Sequence, residues 1–489
     1  MNSIQIAPVD CAILALYLIA ITLFGARFRR KQQSLRDYFL GGRTAPWWAI
    51  MCSIVATETS TLTIISTPGI AYGGNLGFLQ IVLGYLVARV ILCVVLVPQY
   101  FRGEFYTAYQ LLEKRFGARM KSAAAVVFLV TRALAEGVRI SAIGKVVSVA
   151  FGTGMSVSIL IITMLTIFYT FEGGMQAVIW TDVIQFAMYL TGSVAAFFLL
   201  FHKIPGGWPE ITQVAAAAGG KFRIFDFTFS LTQSYTFWSG LLGGTFLTMA
   251  SHGTDQTMVQ RLLSARNERD SKKALLFSGI VVLFQFALFL VIGVMLFVFA
   301  QHVPLGSANG DADKIYPWFI VHHLPVGLTG LILASIFAIA MSNASGSLNS
   351  LASSSIVDLA SRPGENAVNS VRRSRQTTVL WGVVLGLLGL VKWGPVLVAG
   401  LTIASITYGG LLGVFLLGTW NKKANQNGAL IGFAVGIATM IVVRLETPLA
   451  WTWYVLVGTL VTFAIGSLAS RVAGSANSAG PAAQFEHQS

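Results

Sequence analysis

Charge is scarce in this chain. Asp, Glu, Lys and Arg together make up only 11% of its 489 residues, against roughly 25% in an ordinary soluble domain. So few charges cannot cover a water-facing surface of this size, which excludes a soluble enzyme and a disordered scaffold alike. Cysteine is also nearly absent. Cys11, Cys52 and Cys93 all lie in apolar segments and fit neither a disulfide framework nor a zinc spacing. The N-terminus, MNSIQIAPVD, lacks a positive n-region, so the first apolar run reads as a retained span and not a cleaved signal. No P-loop or GxSxG is present, and His252, His302, His322 and His323 are not at metal-binding spacings within one helix. Nothing therefore points to catalysis.

What the chain has in abundance is apolar sequence. The hydrophobic fraction is 55% and the mean hydropathy +0.72. Runs of about 20 apolar residues recur, as a polytopic helical membrane protein requires, without the alternation of a membrane barrel. About thirteen hydrophobic helices are predicted, at residues 8–27, 46–73, 78–100, 122–150, 155–171, 176–202, 236–252, 275–300, 326–358, 377–393, 396–418, 428–443 and 450–470. The net charge of +14 does not mark a nucleic-acid partner, because the cations cluster between the apolar runs. Alternate connections hold roughly twenty-three of them, including Arg261 and Arg266, and the opposite set about six. The positive-inside rule then puts the N-terminus outside and the C-terminus in the cytoplasm, with an odd number of spans. The plasma (inner) membrane is the expected location. No separate soluble domain is visible. Residues 1–473 form one transmembrane unit, and 474–489, small and polar, form a disordered cytoplasmic tail.

Polar residues interrupt several spans. In the second, Thr57-Glu58-Thr59-Ser60-Thr61 falls near mid-depth. An intact helix could absorb the hydroxyls but not easily the Glu. A discontinuous helix lining an internal cavity is expected instead, with freed carbonyls able to hold a cation. In the seventh, Gly240, Gly243 and Gly244 fit either a second break or tight packing. In the ninth, Ser342, Ser345 and Asn349 share a helical face. They would serve either as oxygen ligands for a hard cation or as contacts between helices. Asp182 lies a few residues into the sixth run, either as a functional candidate by position or as an interfacial Asp capping or snorkelling near the cytoplasmic end. In the fourth, Glu136 is spaced to pair with Arg132 and Arg139, although either Arg could instead face a substrate carboxylate.

These residues resemble the sodium:solute symporter family, which includes sodium/glucose, proline and sialic-acid transporters. The stretches DYFLGGR (37–43), ATETSTLTIISTPG (56–69), GGMQAVIWTDVIQ (173–185), SHGTDQTMVQR (251–261) and SGSLNSLASSSIVDL (345–359) carry the likeness. It extends from about residue 8 to 470. The resemblance implies an all-α fold of the leucine-transporter type: two inverted five-helix repeats, about 45–203 and 235–418, with discontinuous helices. It also implies a main sodium site from the backbones of Ala56, Thr59 and Ile339 with the side chains of Ser342 and Asn343. Asn343 departs from the usual Ser or Thr. A second sodium position would use Asp182, Ser342 and Ser345, with Gly346 standing where a further hydroxyl would help. The matched substrate positions are Glu58, Ser60, Thr63, Phe78 and Gln80, with Arg132 or Arg139 for a carboxylate. Glu58 would bind a substrate amine or hydroxyl, or pair with Arg132 or Arg139.

The function implied is sodium-coupled import of a small polar solute (an organic acid, zwitterion or sugar-like polyol) by alternating access. No obligate protein partner is evident. The alternatives are a proton-coupled carrier using Glu58 or Asp182, and a transporter-like sensor acting with a separate partner. A channel lacks any visible filter repeat.

Overall fold

The computed structural model describes residues 7–27, 34–151, 154–304, 312–361, 367–391, 393 and 396–474. The tail expected at 474–489 lies outside them except for Gly474, which ends a helix. The described residues are mostly helical, and the only strand-like pairing among them is an isolated bridge between Ala45 and Ala265. In chain order the helices are α1 (Pro8–Ala26), α2 (Leu35–Leu40), α3 (Trp47–Glu58), α4 (Thr61–Gly73), α5 (Leu79–Val95), α6 (Val97–Tyr100), α7 (Tyr109–Phe116), α8 (Ala118–Phe151), α9 (Met155–Lys203) and α10 (Gly207–Ala217). Then follow α11 (Phe237–Gly253), α12 (Gln256–Leu263), α13 (Glu268–Phe299), α14 (Ala312–His323), α15 (Leu328–Ser354), α16 (Ala367–Gly389), α17 (Val396–Trp420), α18 (Gln426–Glu446) and α19 (Tyr454–Gly474).

Six stretches among the described residues are each long and apolar enough to cross a bilayer. They begin at Gly174, Glu268, Leu328, Ile403, Gln426 and Trp451. The pair α3 and α4, bent by 59° at a short break, makes a seventh if counted as one span. In the long helix α9, Gly174 has φ 56° and ψ −158°. That backbone geometry is open chiefly to glycine, and it divides the segment between the two runs expected there.

The packing is that of a protein in lipid. Large apolar side chains such as Val94, Phe284 and Leu387 are exposed on the outside, whereas Gln185, Arg89, Arg261 and Asn349 are buried. α15 is central, packed by α1, α3, α8, α9 and α16, and 89% of its spanning window is buried. Its hydroxyls therefore face protein and not acyl chains. Lipid offers no hydrophobic drive between helices, so close backbone approach must supply the cohesion. A Cβ on Gly244 would stand 2.3 Å from the carbonyl oxygen of Ile81, and one on Gly243 would stand 2.4 Å from that of Thr452. The glycines of α11 thus serve tight packing against α5 and the segment before α19. The chain breaks farther on, at Thr254 and Asp255, where the Asp255 carboxylate caps α12 by accepting from the Thr257 N–H at 2.8 Å.

Over-packing a helix contact of this kind costs about 1–3 kcal/mol. Gly244→Ala should lower the thermal midpoint of the purified protein. Gly73→Ala, where an added Cβ meets nothing within 4 Å, should leave it unchanged. Equal midpoints for the two variants would contradict the packing role.

Candidate functional site

The site begins with the break between α3 and α4. The last helical bond of α3 runs from the Thr59 N–H to the Val55 carbonyl at 2.9 Å. Thr59 then turns extended (ψ 97°). Ser60 starts α4 through a capping box: its hydroxyl accepts from the Thr63 N–H, and Thr63 accepts from the Ser60 N–H, both at 3.2 Å. Hydroxyl residues are placed here because they satisfy the orphan donors of a new helix start. The Thr59 hydroxyl is anchored by Gln285 of α13, whose amide donates to it at 2.7 Å.

The break opens onto a cavity of about 180 Å³ lined by α3, α4, α8, α11 and α17. Glu58, Ser60, Thr63, Phe78, Arg132 and Arg139 all line it, with the hydroxyls of Thr67, Thr131, Thr248, Ser251 and Tyr408. Phe78 stacks on Phe286 with ring centroids 5.2 Å apart, forming an aromatic wall. Gln80 is not in the lining. Its buried amide donates to the carbonyls of Gly77 and Tyr235, both at 3.1 Å, and its oxygen accepts from the Asp226 N–H. It braces the outer loop and does not face solute.

The charges in and beside the cavity are matched in sets. Glu58 is held by the Arg89 guanidinium of α5, with His252 Nε2 at 3.5 Å. It does not pair with Arg132 or Arg139. Arg132 faces Asp255 at 3.7 Å and donates to the Ser347 hydroxyl at 3.0 Å. Tyr408 donates to the same Asp255 at 2.8 Å. The ladder expected along α8 is therefore half formed: Glu136 pairs with Arg139 at 3.0 Å, while Arg132 turns to Asp255. Of these two arginines, Arg139 is the more open, with 23% of its side chain exposed against 7% for Arg132.

The residues matched to sodium lie beside the cavity, buried and not lining it. Ala56, Thr59, Ile339, Ser342 and Asn343 are all buried, and Asn343 joins the end of α3 to the middle of α15 at Thr59 and Ile339. The Asn343 amide donates to the carbonyls of Thr59 and Ile339, each at 3.1 Å, while its own oxygen has no hydrogen-bond partner. The two carbonyls thus converge on one point. A sodium ion taking them would require the amide to turn and offer its oxygen, which the side chain's chemistry allows.

Asp182 is fully buried and accepts from Ser342 at 2.5 Å, from Ser53, and from Arg261 at 3.1 Å. Ser345, expected as a co-ligand, donates to its own helix at the Ser342 carbonyl, 3.0 Å away. Arg261, read from sequence as a loop charge, is buried instead.

Arg89, His252, Asp255, Tyr408 and Arg261 complete the polar network, and sequence reasoning did not place them in the site, although His252, Asp255 and Arg261 fall in the stretch 251–261 that carries the family likeness. Arg89 did carry a signal, being the lone charge in the apolar run LQIVLGYLVARVILCVV.

Breaking a buried ion pair from one side costs about 3–5 kcal/mol, because the partner remains charged and unpaired. Glu58→Gln should therefore destabilise strongly, and adding Arg89→Met should recover much of the loss in a thermal double-mutant cycle. Additive losses would show that the two groups do not act as a pair.

Comparison with known proteins identifies the family and the fold. A family model described as "Sodium:solute symporter family" matches residues 38–436. The sodium/sialic acid symporter of Aliivibrio fischeri is 31% identical over 92% of this chain and 91% of its own length. That of Proteus mirabilis is 30% identical over 94% of each. The human sodium/iodide cotransporter is 29% identical over 90% of this chain and 70% of its own. A solved Na+-coupled sialic acid symporter, substrate-bound and outward-open, superposes with a TM-score of 0.89 at 28% identity, covering 95% of this chain and 98% of the other. Mhp1, a nucleobase-cation-symport-1 family transporter, shares the fold at a TM-score of 0.57 and 12% identity, over 89% of this chain and 94% of its own. The chain belongs to the sodium:solute symporter family, and is a multi-pass membrane carrier that couples sodium to the movement of a small organic solute, not an enzyme.

Proposed function

We propose that the protein imports a small hydroxylated solute by alternating access, with sodium entering at the junction of α3 and α15. The observation that carries this is the convergence of the Thr59 and Ile339 carbonyls on the Asn343 side chain, at 3.1 Å each. The broken span freed one of these carbonyls. A cation bound there would tie the start of one repeat to the middle of the other, so its arrival and loss would bias the rocking of the bundle.

We read the chain as thirteen spans in two inverted repeats, about 45–203 and 235–418. The N-terminus is outside and the C-terminus in the cytoplasm of the plasma membrane. With that orientation one sodium moving inward through about 100 mV contributes roughly 2.3 kcal/mol. A tenfold sodium gradient adds about 1.4 kcal/mol. Together, about 3.7 kcal/mol supports roughly 500-fold accumulation of a neutral solute.

The cavity supports the proposed solute class. Its charges cancel in pairs, and the surface left over is hydroxyl-rich with one aromatic wall. A polyol or zwitterion meets no net charge there. The names of the two bacterial relatives point to acidic sugars, and Arg139 is the group that a carboxylate on such a solute would meet. Proton coupling is the weaker reading. Glu58 and Asp182 each face an arginine, and a proton arriving at either would leave a buried guanidinium without its counter-charge.

Sodium should raise the thermal midpoint of the purified protein by mass action, and so enhance stabilisation by hydroxylated acids and polyols in a ligand screen. Ser342→Ala should abolish the sodium effect. Asn343→Ser removes two competing hydrogen bonds, each worth roughly 0.5–1.5 kcal/mol, and should raise sodium affinity about tenfold. If Ser342→Ala keeps the full response, the assignment of the ion position is wrong.

A further inference from the structure

The Asp182 carboxylate is a buried anion with hydroxyls around it, and such a group demands a cation. In this chain the cation is already present as a side chain. The break at Thr254–Asp255 starts the short helix α12, every residue of which is buried. Arg261 sits on it with only 1% of its surface exposed. Its guanidinium is fixed on three sides: Nη2 donates to Asp182 Oδ2 at 3.1 Å, Nε to the Ser53 hydroxyl at 2.8 Å, and Nη1 to the Thr257 carbonyl at 2.8 Å. Ser53 itself donates to Asp182, so the carboxylate, hydroxyl and guanidinium form a closed ring of contacts. Ser342 occupies the other carboxylate oxygen at 2.5 Å.

Gly346 makes this arrangement possible. A Cβ built on it would lie 2.6 Å from Arg261 Nη2 and 3.2 Å from Nη1. The guanidinium therefore fills the volume that any larger side chain at 346 would take. The missing hydroxyl at 346 and the arginine beside Asp182 are one feature: the absent side chain leaves the room that the guanidinium uses.

We propose that the Arg261 guanidinium is a resident cation at the second ion position, so that each chain binds one sodium and not two. This rests on the reading of the protein as a sodium symporter and adds its stoichiometry. A guanidinium keeps its charge at every attainable pH. It neutralises Asp182 without an ion having to arrive. A second sodium at that carboxylate would meet a like charge at contact distance, or would have to expel the guanidinium into an apolar interior. Ser342 then joins the two positions, since its proton is committed to Asp182 while its lone pairs remain available to the single sodium.

The test is sodium-22 binding to the purified full-length protein at constant ionic strength, balanced with choline chloride. Wild type should saturate at one sodium per chain without cooperativity. Arg261→Ala should bind two, with a cooperative sodium dependence, and adding Asp182→Asn should return it to one. Gly346→Ser, which displaces the guanidinium and supplies a hydroxyl, should also bind two, and serves if Arg261→Ala fails to fold. Two sodium ions on wild type would overturn the proposal. So would a single ion on folded forms of both variants. If wild type binds none but Arg261→Ala binds one, the resident cation stands and the ion position at Thr59 and Ile339 falls. Binding in none of them removes both.

Discussion

One constraint governs this molecule: a peptide carbonyl deep in an apolar layer must find a partner. By stopping α3 at Thr59, the chain leaves backbone groups without helical neighbours at mid-span. The structure answers within the protein. Ser60 and Thr63 satisfy the new helix start, and α15 approaches closely enough for Asn343 to take up the Thr59 carbonyl. The candidate site is adjacent to that repair. The cavity opens at it, and the Thr59 and Ile339 carbonyls meet the Asn343 side chain beside it.

The buried charges follow the same rule. Three carboxylates near the break have an arginine from a different helix, Glu58 with Arg89, Asp182 with Arg261 and Asp255 with Arg132, whereas Glu136 pairs with Arg139 of its own helix. Such pairs contribute little net stability, but losing one partner is costly. They therefore fix which helices meet, and they leave a cavity whose net charge is small. A carrier gains from this, because a strongly charged pocket would hold its solute too tightly to release it on the far side.

Much of this was legible in the sequence, and the reasons are physical. A Glu among four hydroxyl residues in an apolar run has no comfortable place on an unbroken spanning helix, so the break near Thr57–Thr61 could be read directly. Asp182 was marked as a candidate by its place in an apolar run, but the sequence did not decide between a functional and an interfacial role. The partners themselves were not legible. Glu58 and Arg89 are 31 positions apart, and Asp182 and Arg261 are 79 apart, so only the fold brings them together. Arg261 was also disguised by its neighbours: it follows the end of the seventh apolar run and precedes Arg266 and Arg269, where a topological charge was expected. Gly240, Gly243 and Gly244 could mark a break or a contact, since both need the same missing side chain, and only the backbones opposite them decided for contact. Gln80 had the right composition for a binding residue, but its amide is consumed by loop carbonyls.

The most direct measurement is hydrogen–deuterium exchange of the purified protein with and without sodium. A cation shared by the Thr59 and Ile339 carbonyls should slow exchange together in the peptides spanning 59–66 and 339–346, which belong to separate helices. Exchange unaltered by sodium, or protection confined to one of the two, would contradict a shared ion position at the broken span.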